Sequence, residues 1–198
     1  MPTLPIDDPL DWFSQWMDQA VQSSEIEPTA MSLATVREDG QPTIRIVLLK
    51  AFDRKGFVFY TNLKSAKGRQ LERRPGAGLN FFWKTLGHQV RIEGRTEPVS
   101  REEADAYFGS RGRGSQIGAW ASRQSEPLGE RSLLEQRVQR WEAEFEGRAV
   151  ERPPFWSGFR VVPDRMEFWK AGADRLHDRW EFVRVDEGWN WERRRLYP

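Results

Sequence analysis

Three apolar runs joined by two tight polar turns set the strongest limit on what this chain can become. Residues 31–36 read as a strand, Glu38, Asp39 and Gly40 as a hairpin turn, and 43–52 as a longer strand. A second turn at 53–56 leads into a third strand at 57–61. Turns this short leave no room for a crossover helix, so the expectation is an antiparallel meander and not a βαβ unit. A further hairpin, 79–84 with 89–98, folds around Leu86 and Gly87. From Phe155 onward the pattern is again β, with strands expected at 158–162, 165–170, 176–185 and 189–195. Turns are expected between them at Pro163-Asp164, 171–173 and 186–188.

Helices are predicted between and before these strands. Asp8 followed by Pro9 has the form of an N-cap with proline at the first helical position, and Phe13, Trp16, Met17 and Ala20 follow at helical spacing, giving a helix over 9–22. A short basic helix is expected at 65–73. Ser100 with Glu103 forms a capping box for a helix carrying Ala104, Tyr107 and Phe108. Glycines at 109, 112 and 114 break that helix before 116–121, and Leu134, Val138, Trp141 and Phe145 mark a longer one at 129–146. The fold class is therefore mainly β with added helices (α+β): an antiparallel β-barrel with helices inserted and packed outside it. One domain over 1–198 is expected, with a helical segment at 1–27 and a β region at 155–198.

Composition removes several classes. The 31 basic and 30 acidic residues nearly cancel, which gives no support to nucleic acid or membrane as partner. No apolar run approaches a membrane span, and residues 1–20 lack the basic-then-apolar order of a signal peptide. The absence of cysteine excludes disulfides and thiolate metal sites and fits a cytoplasmic location. Two histidines, His88 and His177, are too few and too far apart for a zinc site, so no metal is expected. Gly112 to Gly118 resembles a dinucleotide loop, but its last spacing is one too long and it follows a helix, so a Rossmann site is rejected. There is no P-loop and no Gly-x-Ser-x-Gly elbow.

The remaining chemistry lies in basic and amide residues beside turns and helix starts. If 175–179 is extended, Arg175, His177 and Arg179 share one face, a surface suited to a planar anion, or else a solvated strand with a local ion pair. Arg45 and Lys50 cap an apolar strand, and in a regular strand they point to opposite faces, so a bulge, a sheet edge or a dimer seam is needed for both to reach one ligand. Tyr60 and Thr61 run into a helix start bearing Lys67, which suits a phosphate or an ordinary cap equally. Tyr107 and Arg111 are four apart with Ser115 beyond the glycine break; they suit a second phosphate, or Arg111 and Arg113 are solvated. Gln124 and Ser125 sit in a loop where bonding to backbone is the ordinary role, and core packing is the ordinary role of Trp169.

Taken in order, these pieces resemble the pyridoxamine/pyridoxine 5′-phosphate oxidases. The resemblance runs from Pro28 to the C-terminus and includes Phe155-Trp156-Ser157-Gly158-Phe159-Arg160, Glu167-Phe168-Trp169 and the ending Arg195-Leu196-Tyr197-Pro198. It implies a split β-barrel homodimer with FMN at the subunit interface. Arg45, Ile46, Val47, Leu48, Leu49 and Lys50 would hold FMN, together with Tyr60, Thr61 and Lys67. Gln89, Gln124, Ser125, Trp169 and Arg179 would complete the cofactor site. Lys50, Tyr107, Arg111 and Ser115 would bind the substrate, with Arg175 and His177 as catalytic residues on its reactive side. The activity implied is oxidation of pyridoxamine or pyridoxine 5′-phosphate to pyridoxal 5′-phosphate by dioxygen, with release of hydrogen peroxide. Other readings are a split-barrel flavoprotein with a different substrate and a non-catalytic flavin or pyridoxal phosphate carrier. The chain departs from the family at Ala66, where arginine is usual, and in its acidic Asp7-Asp8 start, where the family often carries a longer basic segment.

Overall fold

The computed structural model describes residues 7–186 and 188–198. Residues 1–6 of the stretch read for a signal peptide, and Glu187 of the turn expected at 186–188, lie outside the described residues. The first helix, α1 (Pro9–Gln22), opens as its sequence requires: Asp8 accepts from the Leu10 amide at 2.8 Å and Pro9 takes the first turn. Then come β1 (Ala30–Val36), β2 (Pro42–Leu48), β3 (Ala51–Asp53), β4 (Gly56–Asn62) and the helix α2 (Ala66–Arg73). The hairpin β5 (Gly76–Trp83) and β6 (His88–Pro98) leads to α3 (Arg101–Ser110), α4 (Arg113–Ala121) and α5 (Arg131–Glu144). The chain closes with β7 (Trp156–Lys170), a 3-10 turn at Ala173–Arg175, β8 (Asp178–Arg184) and β9 (Trp191–Leu196).

All strand pairs are antiparallel, in the order β2-β1-β5-β6-β7-β4-β3, with β8 on β7 and β9 on β8. The spine is β7. One edge of it pairs with β6 along its length, while the other is shared between β4 (Phe57↔Val161 to Asn62↔Trp156) and β8 (Arg165↔Val183 to Lys170↔Asp178). The sheet therefore forks and curls into a half-barrel. The two strands expected at 158–162 and 165–170 are one: Pro163-Asp164 is not a turn but a bulge, where pairing steps from Gly94↔Pro163 to Glu93↔Arg165. The extra residue shifts the alternation, so Phe159 and Val161 before it and Met166 and Phe168 after it all face the same core. Gly94 permits it, since a Cβ there would lie 2.0 Å from the Val162 carbonyl oxygen.

The strand expected at 43–52 also differs. It breaks after Leu48 because the chain changes neighbours: Leu49 N–H donates to Thr29 and Lys50 N–H to Val58 of β4. Arg45 and Lys50 therefore no longer share one regular strand. α1 packs on the core side of the sheet, with Trp12 stacked on Phe168 at 4.5 Å and Phe13 wedged among Phe52, Phe57 and Phe81. Each such ring contributes about 1.5–3 kcal/mol by burial. A second cluster of Phe108, Ile117, Phe145, Val150 and Trp156 seats α3–α5 on the other face, beside β4 and the start of β7. Smaller shifts concern α4, which starts at Arg113 instead of 116, and α5, which spans Arg131–Glu144. The last strand runs Trp191–Leu196.

Candidate functional site

A cavity of about 610 Å³ opens between the edge of β2, the end of β4, α2 and the α3–α4 junction. That volume falls within the range of small-molecule sites. It brings together Ile46, Val47, Leu48, Lys50, Tyr60, Thr61, Lys67 and Gln124 from the expected cofactor set. Tyr107, Arg111 and Ser115 from the expected substrate set line the same space. Among the described residues β2 pairs only with β1, so the outer backbone edge of Ile46–Leu48 offers unpaired donors and acceptors to a flat heterocycle.

Three cations line this cavity without a carboxylate partner among the described residues; Lys50 is exposed, while Lys67 and Arg111 are withdrawn from solvent. Lys67 is 9% exposed, and its ammonium donates only to neutral oxygens, Thr61 Oγ1 at 3.1 Å and Gln124 Oε1 at 3.3 Å. Desolvation, and then the charge of Arg45, push its pKa down. Arg111 caps the C-terminus of α3, where the helix dipole favours a cation. Its Nη1 is buried with no acceptor, and burial lowers its pKa. The adjoining α4 has Gly112 as its N-cap and no side-chain cap, so the amides of Arg113 and Gly114 at its start meet no capping side chain. Buried, uncompensated donors of this kind are costly unless an anion completes them.

Arg45 lies behind the cavity and does not line it. Its guanidinium donates to the Leu33 carbonyl at 3.2 Å, Thr43 Oγ1 at 2.7 Å and Gln70 Oε1 at 3.2 Å, as well as to Thr35. It ties β1, β2 and α2 together and adds positive potential toward Lys67. Leu49 is core, and Ser125 sits in the adjacent loop in a left-handed conformation at φ 74°. Five lining residues outside the expected site set are Asn62, Gly118, Ala119, Ser122 and Trp156. Gly158 was the available signal for Trp156: a Cβ at 158 would lie 2.8 Å from the Tyr60 ring, so glycine there lets Tyr60 lie flat beside Trp156.

The rest of the expected site forms a second group. Gln89, Trp169 and Arg179 stand in one cross-strand row over β6, β7 and β8. Gly158, opposite Tyr60, and Trp169 are eleven residues apart on β7, at most about 36 Å of strand and less by the bulge at Asp164. Arg175 and His177 belong to this group, but the extended reading of 175–179 is corrected. β8 begins only at Asp178, and Asp174 and Arg175 are left-handed at φ 53° and 62°, so Arg175, His177 and Arg179 do not share a strand face. Two consecutive non-glycine residues in that region cost about 1–3 kcal/mol each. His177 lies 4.5 Å from the Trp169 ring and accepts at Nδ1 from the Gly172 amide at 3.2 Å. The neutral imidazole therefore carries its proton on Nε2.

A charge lattice fixes the row. Glu167, 3% exposed, receives Arg179 Nε at 2.9 Å and Arg91 on its other oxygen. Glu181, directly opposite in register, receives Arg165 at 2.6 Å and Arg194. Desolvation pushes the Glu181 carboxyl up, but the hydrogen bonds from Arg194 and Arg165 outweigh it and hold the pKa below the usual range. Bonding to Glu167 raises the pKa of Arg179, which also donates to the Tyr197 carbonyl at 2.9 Å. No cluster of metal-ligating side chains exists among the described residues, and no helix among them is long and apolar enough to cross a membrane.

Fold and site together define a split-barrel protein whose cavity presents unpaired cations beside a free strand edge. Residues 17–145 match the family described as pyridoxamine 5′-phosphate oxidase, and 156–198 match the pyridoxine 5′-phosphate oxidase C-terminal dimerisation region. The chain belongs to the pyridoxamine 5′-phosphate oxidase family. It is 54% identical over 191 residues to a pyridoxine/pyridoxamine 5′-phosphate oxidase of Myxococcus xanthus, covering 96% of this chain and 92% of that one. Its identity to the enzyme of the same name from Synechocystis is 50%, covering 97% and 89%. Among solved structures, PhzG from Burkholderia lata, in complex with tetrahydrophenazine-1-carboxylic acid, superposes with TM-score 0.92 at 32% identity over 98% of this chain and 94% of that one.

Proposed function

We propose that this chain oxidises pyridoxamine 5′-phosphate or pyridoxine 5′-phosphate to pyridoxal 5′-phosphate, with FMN as cofactor and dioxygen as final acceptor. The observation that carries this reading is the cavity's two desolvated, uncompensated cations, Lys67 and Arg111, held by different elements. Two cations suit two phosphate groups, one from a cofactor and one from a substrate. Relatives at 50–54% identity over nearly their whole length carry that activity in their names.

In this reading Lys67, Thr61 and Gln124 hold the FMN phosphate, and the free edge of β2 meets the isoalloxazine. Arg111, Ser115 and the uncapped start of α4 receive the substrate phosphate, with Tyr107 and Lys50 beside it. When bound, FMN supplies a two-electron acceptor that takes a hydride from the substrate C4′ carbon and passes the electrons on to dioxygen. The alcohol substrate becomes the aldehyde directly; the amine becomes an imine that water hydrolyses to aldehyde and ammonia. Dioxygen gains two electrons and two protons as hydrogen peroxide. The protein's contribution is orientation and charge: a fixed C4′ position, and cations that favour the reduced, anionic state.

Arg175 and His177 would face the reactive side of the substrate, His177 presenting its Nε2–H as a donor. They lie far along β7 from the cavity of their own chain, which supports a homodimer in which the Gln89–Trp169–Arg179 row of one subunit adjoins the cavity of the other. The match of 156–198 to a dimerisation region supports the same assembly. Both half-sites branch from one sheet, so the chain reads as a single functional domain, and the lack of cysteine fits a cytoplasmic setting. The test is stoichiometry: purified protein with FMN, pyridoxine 5′-phosphate and air should release aldehyde and peroxide in equal amounts. Binding without peroxide would mean a carrier, and activity confined to other ligands a split-barrel oxidoreductase of different specificity.

A further inference from the structure

Arg111 has no carboxylate counter-ion among the described residues. On α3, Glu103 accepts from Arg160 at 2.8 Å and Asp105 from Arg152 at 2.6 Å, and no carboxylate of the helix pairs with Arg111. What lies against the guanidinium is aromatic. Its central carbon is 4.7 Å from the centroid of the Trp156 ring and 5.5 Å from that of Phe108. Trp156 is only 6% exposed. Tyr60 stacks on it at 5.4 Å and 5°, and Tyr107 in turn stacks on Tyr60 at 4.0 Å. Arg152 donates to the Trp156 carbonyl at 2.6 Å and so ties down the backbone that carries the ring.

A carboxylate beside Arg111 would attract the guanidinium but would also occupy two of its N–H donors and cancel its charge. An indole face attracts it without using any donor. We propose that Trp156 is a positioning residue that sets the site's preference for phosphorylated ligands, holding Arg111 charged, desolvated and with its donors free. Selectivity for the phosphate then depends on the electron density of the indole face as well as on Arg111. The proposal rests on the reading of Arg111 as the substrate-phosphate ligand.

The test uses the FMN-loaded enzyme with Trp156 replaced site-specifically by tryptophans carrying one, two and three ring fluorines. These keep the shape of the side chain and progressively weaken its π face. The Kd of pyridoxal 5′-phosphate should rise stepwise, roughly three- to thirty-fold over the series, while that of unphosphorylated pyridoxal stays constant. A flat series, or equal weakening of both ligands, overturns the proposal. Arg111→Met separates the two levels of the argument. If it weakens pyridoxal 5′-phosphate while the fluorine series is flat, only the role of Trp156 fails. If it leaves that Kd unchanged, the assignment of Arg111, and the proposal with it, fails.

Discussion

Replacing Lys67 by methionine should move stability and cofactor affinity in opposite directions. The ammonium is 9% exposed, has only the neutral oxygens of Thr61 and Gln124 as acceptors, and has its pKa lowered by desolvation. Methionine keeps the stem and removes the charge. Thr61 Oγ1 and Gln124 Oε1, already 3.2 Å apart, can hydrogen-bond to each other without it. Relieving a buried, unpaired charge should stabilise the cofactor-free protein by about 1 kcal/mol, or roughly 2–4 °C in Tm for a chain of this size. The same change deletes a charge-assisted bond to the flavin phosphate worth about 1.5–3 kcal/mol, so the Kd for FMN should rise about 10- to 150-fold. Calorimetric melting of the apoprotein and quenching of FMN fluorescence on titration read the two quantities separately. A lower apoprotein Tm together with an unchanged Kd would refute the assignment of Lys67 as an anion receptor.

Other perturbations test other parts of the site. Ala66→Arg, which puts the family's usual residue in the first turn of α2 beside Lys67, should tighten FMN binding about ten-fold or more by one added charge-assisted bond; fluorescence titration would show no change if another side chain already fills that role. Arg175→Ala should lower turnover far more than bound-FMN content, and unchanged turnover would remove Arg175 from the reactive side. His88 is stacked on Trp16 at 3.9 Å and held neutral, its pKa lowered to about 4 by desolvation and then by Lys170. The unfolded chain binds that proton more readily, so stability should be fully present above about pH 6.5 and be lost as pH falls toward 4, by at most about 3 kcal/mol. His88→Gln should flatten that part of the urea-denaturation pH profile; an unaltered profile would assign the acid sensitivity to other groups.

The parts of the fold legible in the sequence are those set by local chemistry. Gly40 takes φ 86° in its hairpin, Ser100 and Glu103 close their capping box, and Asp8-Pro9 starts α1. What was not legible depends on distant neighbours. The break at Leu49-Lys50 exists because β1 and β4 compete for the same chain, and the bulge at Asp164 exists because β7 must serve both lobes of the sheet. Arg175 is left-handed within a loop closed by Gly172, where a Cβ would lie 2.0 Å from the Leu176 carbonyl oxygen; period-two reasoning assumes an extended chain and fails there. The cavity residues were accessible mainly as fragments of a family pattern. Arg45 came from the same pattern, and its hydrogen bonds to Leu33, Thr43 and Gln70 are visible only in the folded chain. Trp156 lay within a recognised motif, yet its contact with Arg111 needs the tertiary structure to be seen.

The central claim is that this chain passes electrons from a phosphorylated pyridine substrate through FMN to dioxygen. The visible spectrum of the purified, FMN-loaded protein tests it most directly. Under nitrogen, pyridoxine 5′-phosphate should bleach the oxidised-flavin absorption, and admitting air should restore it with release of peroxide. A spectrum unchanged by the substrate would contradict the account.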